Sequence, residues 1–147
     1  MDREEVLISE LEQLFYEINQ LVISEKHKCL KEGISLSQIW VLKQLEQNRQ
    51  KISDLAESMG VSVPAITGLS DKLIAQGLAE RIRSDQDRRI VFLSISQKGR
   101  ELLKEIRRER QKLMKIYLDG LPEEDLQRLI EIYRKIKDNI KKKRKTE

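Results

Sequence analysis

Residues 53–77 read Ser53-Asp54-Leu55-Ala56-Glu57-Ser58-Met59-Gly60-Val61-Ser62-Val63-Pro64-Ala65-Ile66-Thr67-Gly68-Leu69-Ser70-Asp71-Lys72-Leu73-Ile74-Ala75-Gln76-Gly77, and the stops and starts within this stretch decide the fold. Leu55 and Ala56 lie on the inner side of a short helix over Ser53–Met59, which Gly60 ends where a left-handed residue costs least. Ser62 is an N-cap, Pro64 is tolerated in a first turn, and the apolar spacing carries a second helix to about Gln76, with Gly77 closing it. A short helix, a glycine-containing turn and a longer helix with one polar side have the length and spacing of a helix-turn-helix. On these residues alone, two ordinary core helices remain the competing interpretation.

Downstream, the segments Leu78–Arg83 and Arg89–Ile95 are rich in β-branched and alternating residues, and Ser84-Asp85-Gln86-Asp87 between them is a turn cluster, so a β-hairpin with a basic tip is expected. Helical periodicity resumes after the N-cap Ser96 and runs through Leu102, Leu103, Ile106, Leu113, Met114 and Tyr117 to Gly120. Pro122, expected at the first helical position, then opens a last helix whose apolar face is Leu126, Leu129, Ile130, Tyr133, Ile136 and Ile140; Glu123, Glu124 and Asp125 complement its dipole.

Upstream, Leu7, Leu11, Leu14, Ile18, Leu21 and Val22 recur every three or four positions, giving one long amphipathic helix from about Glu4 to Glu32 with Gly33 as its stop. Ser35 and Gln38 form a capping-box start for a helix carrying Ile39, Trp40, Leu42 and Leu45, interrupted by the polar Asn48-Arg49-Gln50. The expected fold class is mainly α with a small β-hairpin wing. It forms one domain over 1–147, with long helices at about 1–33 and 97–147 flanking a winged helix-turn-helix module at about 35–96. Long helices with broad apolar stripes need more partner surface than so small a module offers, so a homodimer is the economical arrangement.

Composition narrows the function. The chain has 147 residues, 37% charged and 4% aromatic, with 29 Lys and Arg against 25 Asp and Glu. A net charge of +4 does not identify a nucleic-acid binder, but its distribution points to one. Arg81, Arg83, Arg88 and Arg89 fall close together, and Lys141, Lys142, Lys143, Arg144 and Lys145 form a second block. The second block is first of all a solvated, fraying helix end; a role on flanking DNA is the lesser interpretation. An acidic start, no long apolar run and one cysteine, Cys29, lead to the expectation of a cytoplasmic protein outside the membrane. His27 and Cys29 lie two residues apart on a helix, about 200° around it, which does not make a metal pair. No metal site, cofactor or catalytic constellation can be assembled, so an enzyme is not expected.

The run Asp87-Arg88-Arg89-Ile90-Val91-Phe92-Leu93-Ser94-Ile95-Ser96 resembles the wing signature of the MarR family, Asp-x-Arg followed by Leu-Thr, with Ile95-Ser96 standing for the last pair. Leu55–Ser62, and Leu69-Ser70-Asp71-Lys72-Leu73 followed by Gly77-Leu78, are similar to that family's helix-turn-helix and its exit into the wing. The resemblance implies a homodimer whose terminal helices intertwine. It also implies two lobes facing successive major grooves of a pseudo-palindromic double-stranded DNA operator, with half-sites about 10 base pairs apart. The function expected from it is transcriptional regulation, as a repressor released by a small aromatic or amphipathic effector. The alternative is an oligomeric interaction module that uses the winged helix to dock protein.

With Ile66, Leu69 and Leu73 inward, Ser62, Pro64, Ala65, Thr67, Gly68 and Asp71 turn outward as base-facing candidates. The hydroxyls can meet base edges or phosphates, and Ala65 or the Thr67 methyl a thymine methyl. Gly68 costs about 1 kcal/mol against alanine within a helix. Either close backbone approach to DNA or relief of helix packing would explain it. Lys72, Arg81 and Arg83 suit phosphates. Arg88 and Arg89 suit a narrow minor groove, unless the tip is merely a solvated turn. By the family pattern Arg89 is the wing arginine and Asp87 its salt-bridge partner. Phe15 and Trp40 are read as core or dimer-crevice residues, core first, with an effector site between the dimer helices and the DNA-binding lobe as the lesser role that the family implies, and Cys29 as an inert thiol, since the family's peroxide-sensing cysteine sits nearer the start of the first helix.

Overall fold

The computed structural model describes the backbone of residues 2–29 and 33–147 and the side chains of 2–25 and 33–147, so the readings made of His27 and Cys29 lie outside the described side chains. The elements are α1 (Arg3–Cys29), α2 (Leu36–Leu45), β1 (Gln50–Lys51), α3 (Ile52–Met59), α4 (Val63–Ala75), β2 (Ala79–Arg83), β3 (Val91–Ile95), α5 (Gln97–Tyr117) and α6 (Glu123–Thr146). Packing divides the chain into two compact units, Met1–Glu109 and Arg110–Glu147.

The local signals act where the sequence puts them. Ser35 Oγ accepts from Gln38 N while the Gln38 side chain accepts from Ser35 N, completing the capping box of α2. Gly60 ends α3 at φ 68°, ψ 31°, its N–H donating to the Ala56 and Glu57 carbonyls. Ser62 caps α4 through Ala65 N at 3.3 Å.

Fully or nearly fully buried side chains from α2 (Val41, Leu42, Leu45), α3 (Leu55), α4 (Ile66, Leu73), β3 (Leu93) and α5 (Leu103) make the core of the first unit. Trp40 is half-buried against it. Phe15 is not part of this single-chain core: it is 42% exposed, with Leu7, Leu11, Leu14 and Ile18 of α1 exposed as well.

The hairpin is joined by a third strand that the sequence reading missed. The sheet is antiparallel in the order β1-β3-β2, with Lys51 opposite Phe92 and Arg81 opposite Leu93. The polar break after α2 therefore ends in a strand, too short to show a period of two. The Arg49 guanidinium sits 4.3 Å from the centre of the Phe92 ring at this edge.

In the second unit, Gly120 turns the chain at φ 82°. Pro122 is the N-cap of α6 rather than its first residue. The basic run Lys141–Lys145 lies in the last turns of α6, which extends to Thr146, and it is exposed. No residue of α6 is buried.

Where α5 starts, Gly99 lies directly on the sheet. A Cβ there would press on the Leu78 carbonyl oxygen and stand 2.8 Å from Ile95 Cγ1. Gly99→Ala is expected to destabilise the protein by about 1–3 kcal/mol, read as a lower midpoint in urea at fixed protein concentration.

Candidate nucleic-acid interface

The exposed side of α4 is built from small and short residues. Ser62, Pro64, Ala65, Gly68, Asp71 and Lys72 are exposed, and Thr67 is half-buried. Two of the helix's hydroxyls are spent on its own backbone. Thr67 Oγ1 donates to the Val63 carbonyl at 3.0 Å and Ser70 Oγ, fully buried, to the Ile66 carbonyl at 2.7 Å. Thr67 keeps its acceptor lone pairs and its methyl toward the surface. Around Gly68 a Cβ would meet nothing within 4 Å. Relief of packing is thereby removed as its explanation among the described residues.

The strand β2 overhangs this helix. Ala79, Arg81 and Arg83 share one face by the two-residue period of a strand. Ala79 at the root is buried, and the two arginines further out are exposed. Arg81 Nη2 donates to Asp71 Oδ1 at 2.7 Å, which ties the strand to the outer face of α4. Asp71, expected to face bases, thus has its carboxylate occupied by Arg81. Exposed as the pair is, it adds little stability; its effect is to fix where the two side chains point.

The tip is organised by Ser84 and Asp87. Ser84 Oγ accepts from Gln86 N at 3.2 Å and Asp87 N at 3.3 Å, and Arg83 Nη1 donates to the Arg88 carbonyl at 3.2 Å. Asp87 receives Arg89 on both oxygens: Nε on Oδ1 at 3.1 Å and Nη2 on Oδ2 at 3.2 Å, with Arg89 N also on Oδ1 at 3.0 Å. The Arg89 side chain remains 91% exposed while so held. Those hydrogen bonds, the side-chain ones foremost and the backbone one next, pull the Asp87 carboxyl below its ordinary 3.8 against a smaller opposing effect of desolvation.

Between helix and wing lies an open cleft of about 520 Å³, lined by Lys51, Ile52, Ser53, Val63, Thr67, Asp71, Arg81, Arg83, Arg89, Ile90 and Val91. Four cationic side chains and one acidic one border it. The structure therefore brings Thr67, Asp71, Arg81, Arg83 and Arg89 together around one concavity, while Lys72 and Arg88 are exposed outside its lining. Lys51 and Ser53 were not anticipated; they arrive through β1 and its junction with α3, and only the sheet pairing of Gln50 and Lys51 reveals them. Neither Phe15 nor Trp40 lines this cleft.

Known proteins resemble this chain in sequence and in fold. The model of the MarR family matches residues 34–91, from the start of the α2 region to the first residue of β3. The chain is 31% identical over 117 residues to the HTH-type transcriptional repressor MdtR of Bacillus subtilis, covering 79% of this chain and 74% of that one. Among solved structures, the YusO protein of Bacillus subtilis superposes with a TM-score of 0.79 at 26% identity, over 94% of this chain and 99% of its own. The transcriptional regulator BldR of Sulfolobus solfataricus does so with a TM-score of 0.69 at 29% identity, over 95% and 99%. With the helix-turn-helix, the Asp87–Arg89 wing pair and these relatives taken together, the chain belongs to the MarR family.

Proposed function

We propose that this chain is a sequence-specific, double-stranded-DNA-binding transcriptional regulator that works in the cytoplasm as a homodimer. The observation that carries the reading is the cationic cleft between α4 and the wing. Its outer arginine is aimed by an acid of the same turn, yet left almost wholly in solvent. A guanidinium held in place and still in solvent is available to a narrow, negatively charged groove. The exposed face of α4 enters the major groove, where Ser62, Pro64, Ala65 and Thr67 meet base edges and methyl groups. Arg89 and Arg88 enter the adjoining minor groove, and Lys51, Lys72, Arg81 and Arg83 lie toward phosphates.

Uncovered apolar side chains support the dimer. Leu7, Leu11, Leu14 and Ile18 on α1, and Ile130, Tyr133 and Ile140 on α6, are all exposed in the single chain. The similarity to a protein named as a repressor supports repression as the output. A small aromatic or amphipathic effector that favours another spacing of the two lobes would release the operator by population shift.

Fluorescence anisotropy against duplexes selected from a random pool, beside a scrambled duplex and at two salt concentrations, tests the reading. A selected near-palindrome is expected to bind on the order of a thousandfold more tightly than the scrambled one and to weaken steeply with salt. Equal, weak binding to both would overturn it.

Two substitutions refine the interface. Arg89→Ala is expected to weaken the selected duplex by about 1–3 kcal/mol, with the oligomeric state unchanged in sedimentation. Gly68→Ala is expected to move two observables in opposite directions. The fold gains stability by about 1 kcal/mol, because the methyl meets open space, and DNA affinity falls, because the methyl holds the helix backbone away from the duplex.

The wing pair also has a pH signature. Asp87 is depressed in the folded state, so its ionised pairing with Arg89 is intact above the ordinary carboxyl value of 3.8 and is lost as pH falls through the lower folded midpoint. Carboxyl-detected NMR is expected to place the Asp87 midpoint below 3.8 and to show it moving up toward that value in Arg89→Ala.

A further inference from the structure

The recognition helix ends in a set of polar bonds that no contact with DNA requires. Gln38 Nε2 donates to Gln76 Oε1 at 2.9 Å, and Gln76 Nε2 donates to the Gly33 carbonyl at 2.8 Å. Lys98 Nζ donates to the Gln76 carbonyl at 2.9 Å and Ser96 Oγ to the Gly77 carbonyl at 2.6 Å. Three separate parts of the chain, the Gly33–Ser35 segment with α2 behind it, the end of α4, and the start of α5, therefore meet at Gln76-Gly77.

The glutamine pair has a fixed sense. Gln38 Oε1 accepts from the Ser35 backbone N–H at 2.8 Å, so the circuit runs from the Ser35 N–H through both amides to the Gly33 carbonyl. A backbone donor stands at one end and a backbone acceptor at the other, so each amide has one orientation that satisfies both its neighbours. Gln38 is only 3% exposed, uncommon burial for a glutamine, and a buried amide left half-paired is costly. Separating the two side chains would leave the Gln38 amide half-paired.

Apolar packing at Ile66 and Leu73 sets which face of α4 is inward but leaves the finer setting of its end to other contacts, because burial is non-directional. Hydrogen bonds are directional. Gln76 lies outside the cleft and beyond Asp71 and Lys72 on the helix, so it is not placed to touch DNA in the proposed complex.

We infer that Gln76 is a positioning residue for DNA recognition: through Gln38 it fastens the end of α4 to the Gly33–Ser35 segment, so the setting of that segment fixes how the exposed face of α4 is aimed. This rests on the DNA-binding reading above. It gives Gly33–Ser35, remote in sequence from the interface, a direct hold on the end of α4.

The test uses the full-length chain and variants Gln76→Met, Gln38→Met and the pair together. The readout is the ratio of affinities for the selected and the scrambled duplex at one salt concentration. A variant that is merely less folded loses both affinities in step and leaves the ratio unchanged. Gln76→Met is expected to lower the ratio about tenfold, equivalent to ~1.4 kcal/mol, with far-ultraviolet circular dichroism unaltered. The double variant is expected to lose clearly less than the sum of the two single losses, because both remove the Gln38–Gln76 bond, each with one bond of its own besides, to Ser35 or to Gly33. A ratio for Gln76→Met within about twofold of wild type overturns the inference. Losses that add in the double variant overturn it too, since the amides would then act separately. Should Gln76→Met not fold, Gln76→Asn, one methylene too short to span Gln38 and Gly33 together, is read by the same two outcomes. A wild type that does not distinguish the two duplexes overturns the DNA-binding reading itself, which separates that failure from failure of the role of Gln76.

Discussion

Ile66 and Leu73, seven residues and two helical turns apart on α4, are buried completely against the core of the lobe, and the opposite side of the same helix carries nothing larger than a lysine. A helix of 13 residues cannot hold itself in place by its own backbone bonds, so its position depends on this one buried stripe. The rest of the lobe presents that stripe with a surface made by buried residues of α2, α3 and the sheet, Leu42, Leu55 and Leu93 among them. Because the anchoring is confined to one face, the other is free to be small, polar and close to whatever approaches it.

What apolar burial leaves undetermined is settled by polar side chains at the ends and edges. Ser62 sets where α4 begins, Arg81 reaches from β2 to Asp71 on its flank, and Gln76 and Gly77 are bonded at its finish. The same pattern appears where α5 meets the lobe. Arg107 pairs with the Glu46 carboxylate and Arg100 Nη1 donates to the Glu46 carbonyl at 2.9 Å, joining the end of α2 to the side of α5. These contacts are few and specific, and each joins segments that share no periodic signal.

That division explains what could be read from the sequence. Caps and glycine stops are local, decided within a few residues, so α2, α3, α4 and the hairpin were legible from Ser35, Gly60, Ser62, Gly77 and the turn at Ser84–Asp87. The Asp87–Arg89 pair, two residues apart, was legible through the family pattern. The contacts that escaped have partners far along the chain: Asp71 with Arg81 at ten residues, Gln38 with Gln76 at 38, Glu46 with Arg107 at 61. Lys51 escaped because two residues of β1 carry no alternation to recognise. At Phe15 the sequence left core and dimer crevice both open, because a helical stripe states that a face is buried without stating which partner buries it.

The bare stripe on α1 has a bearing on the economy of the cell as well as on architecture. In the proposed dimer, covering Leu7, Leu11, Leu14 and Ile18 is a second-order event in chain concentration, so folded stability and abundance are linked by mass action. Dilution favours the single chain, whose exposed apolar surface is the kind of feature that cellular proteolysis recognises.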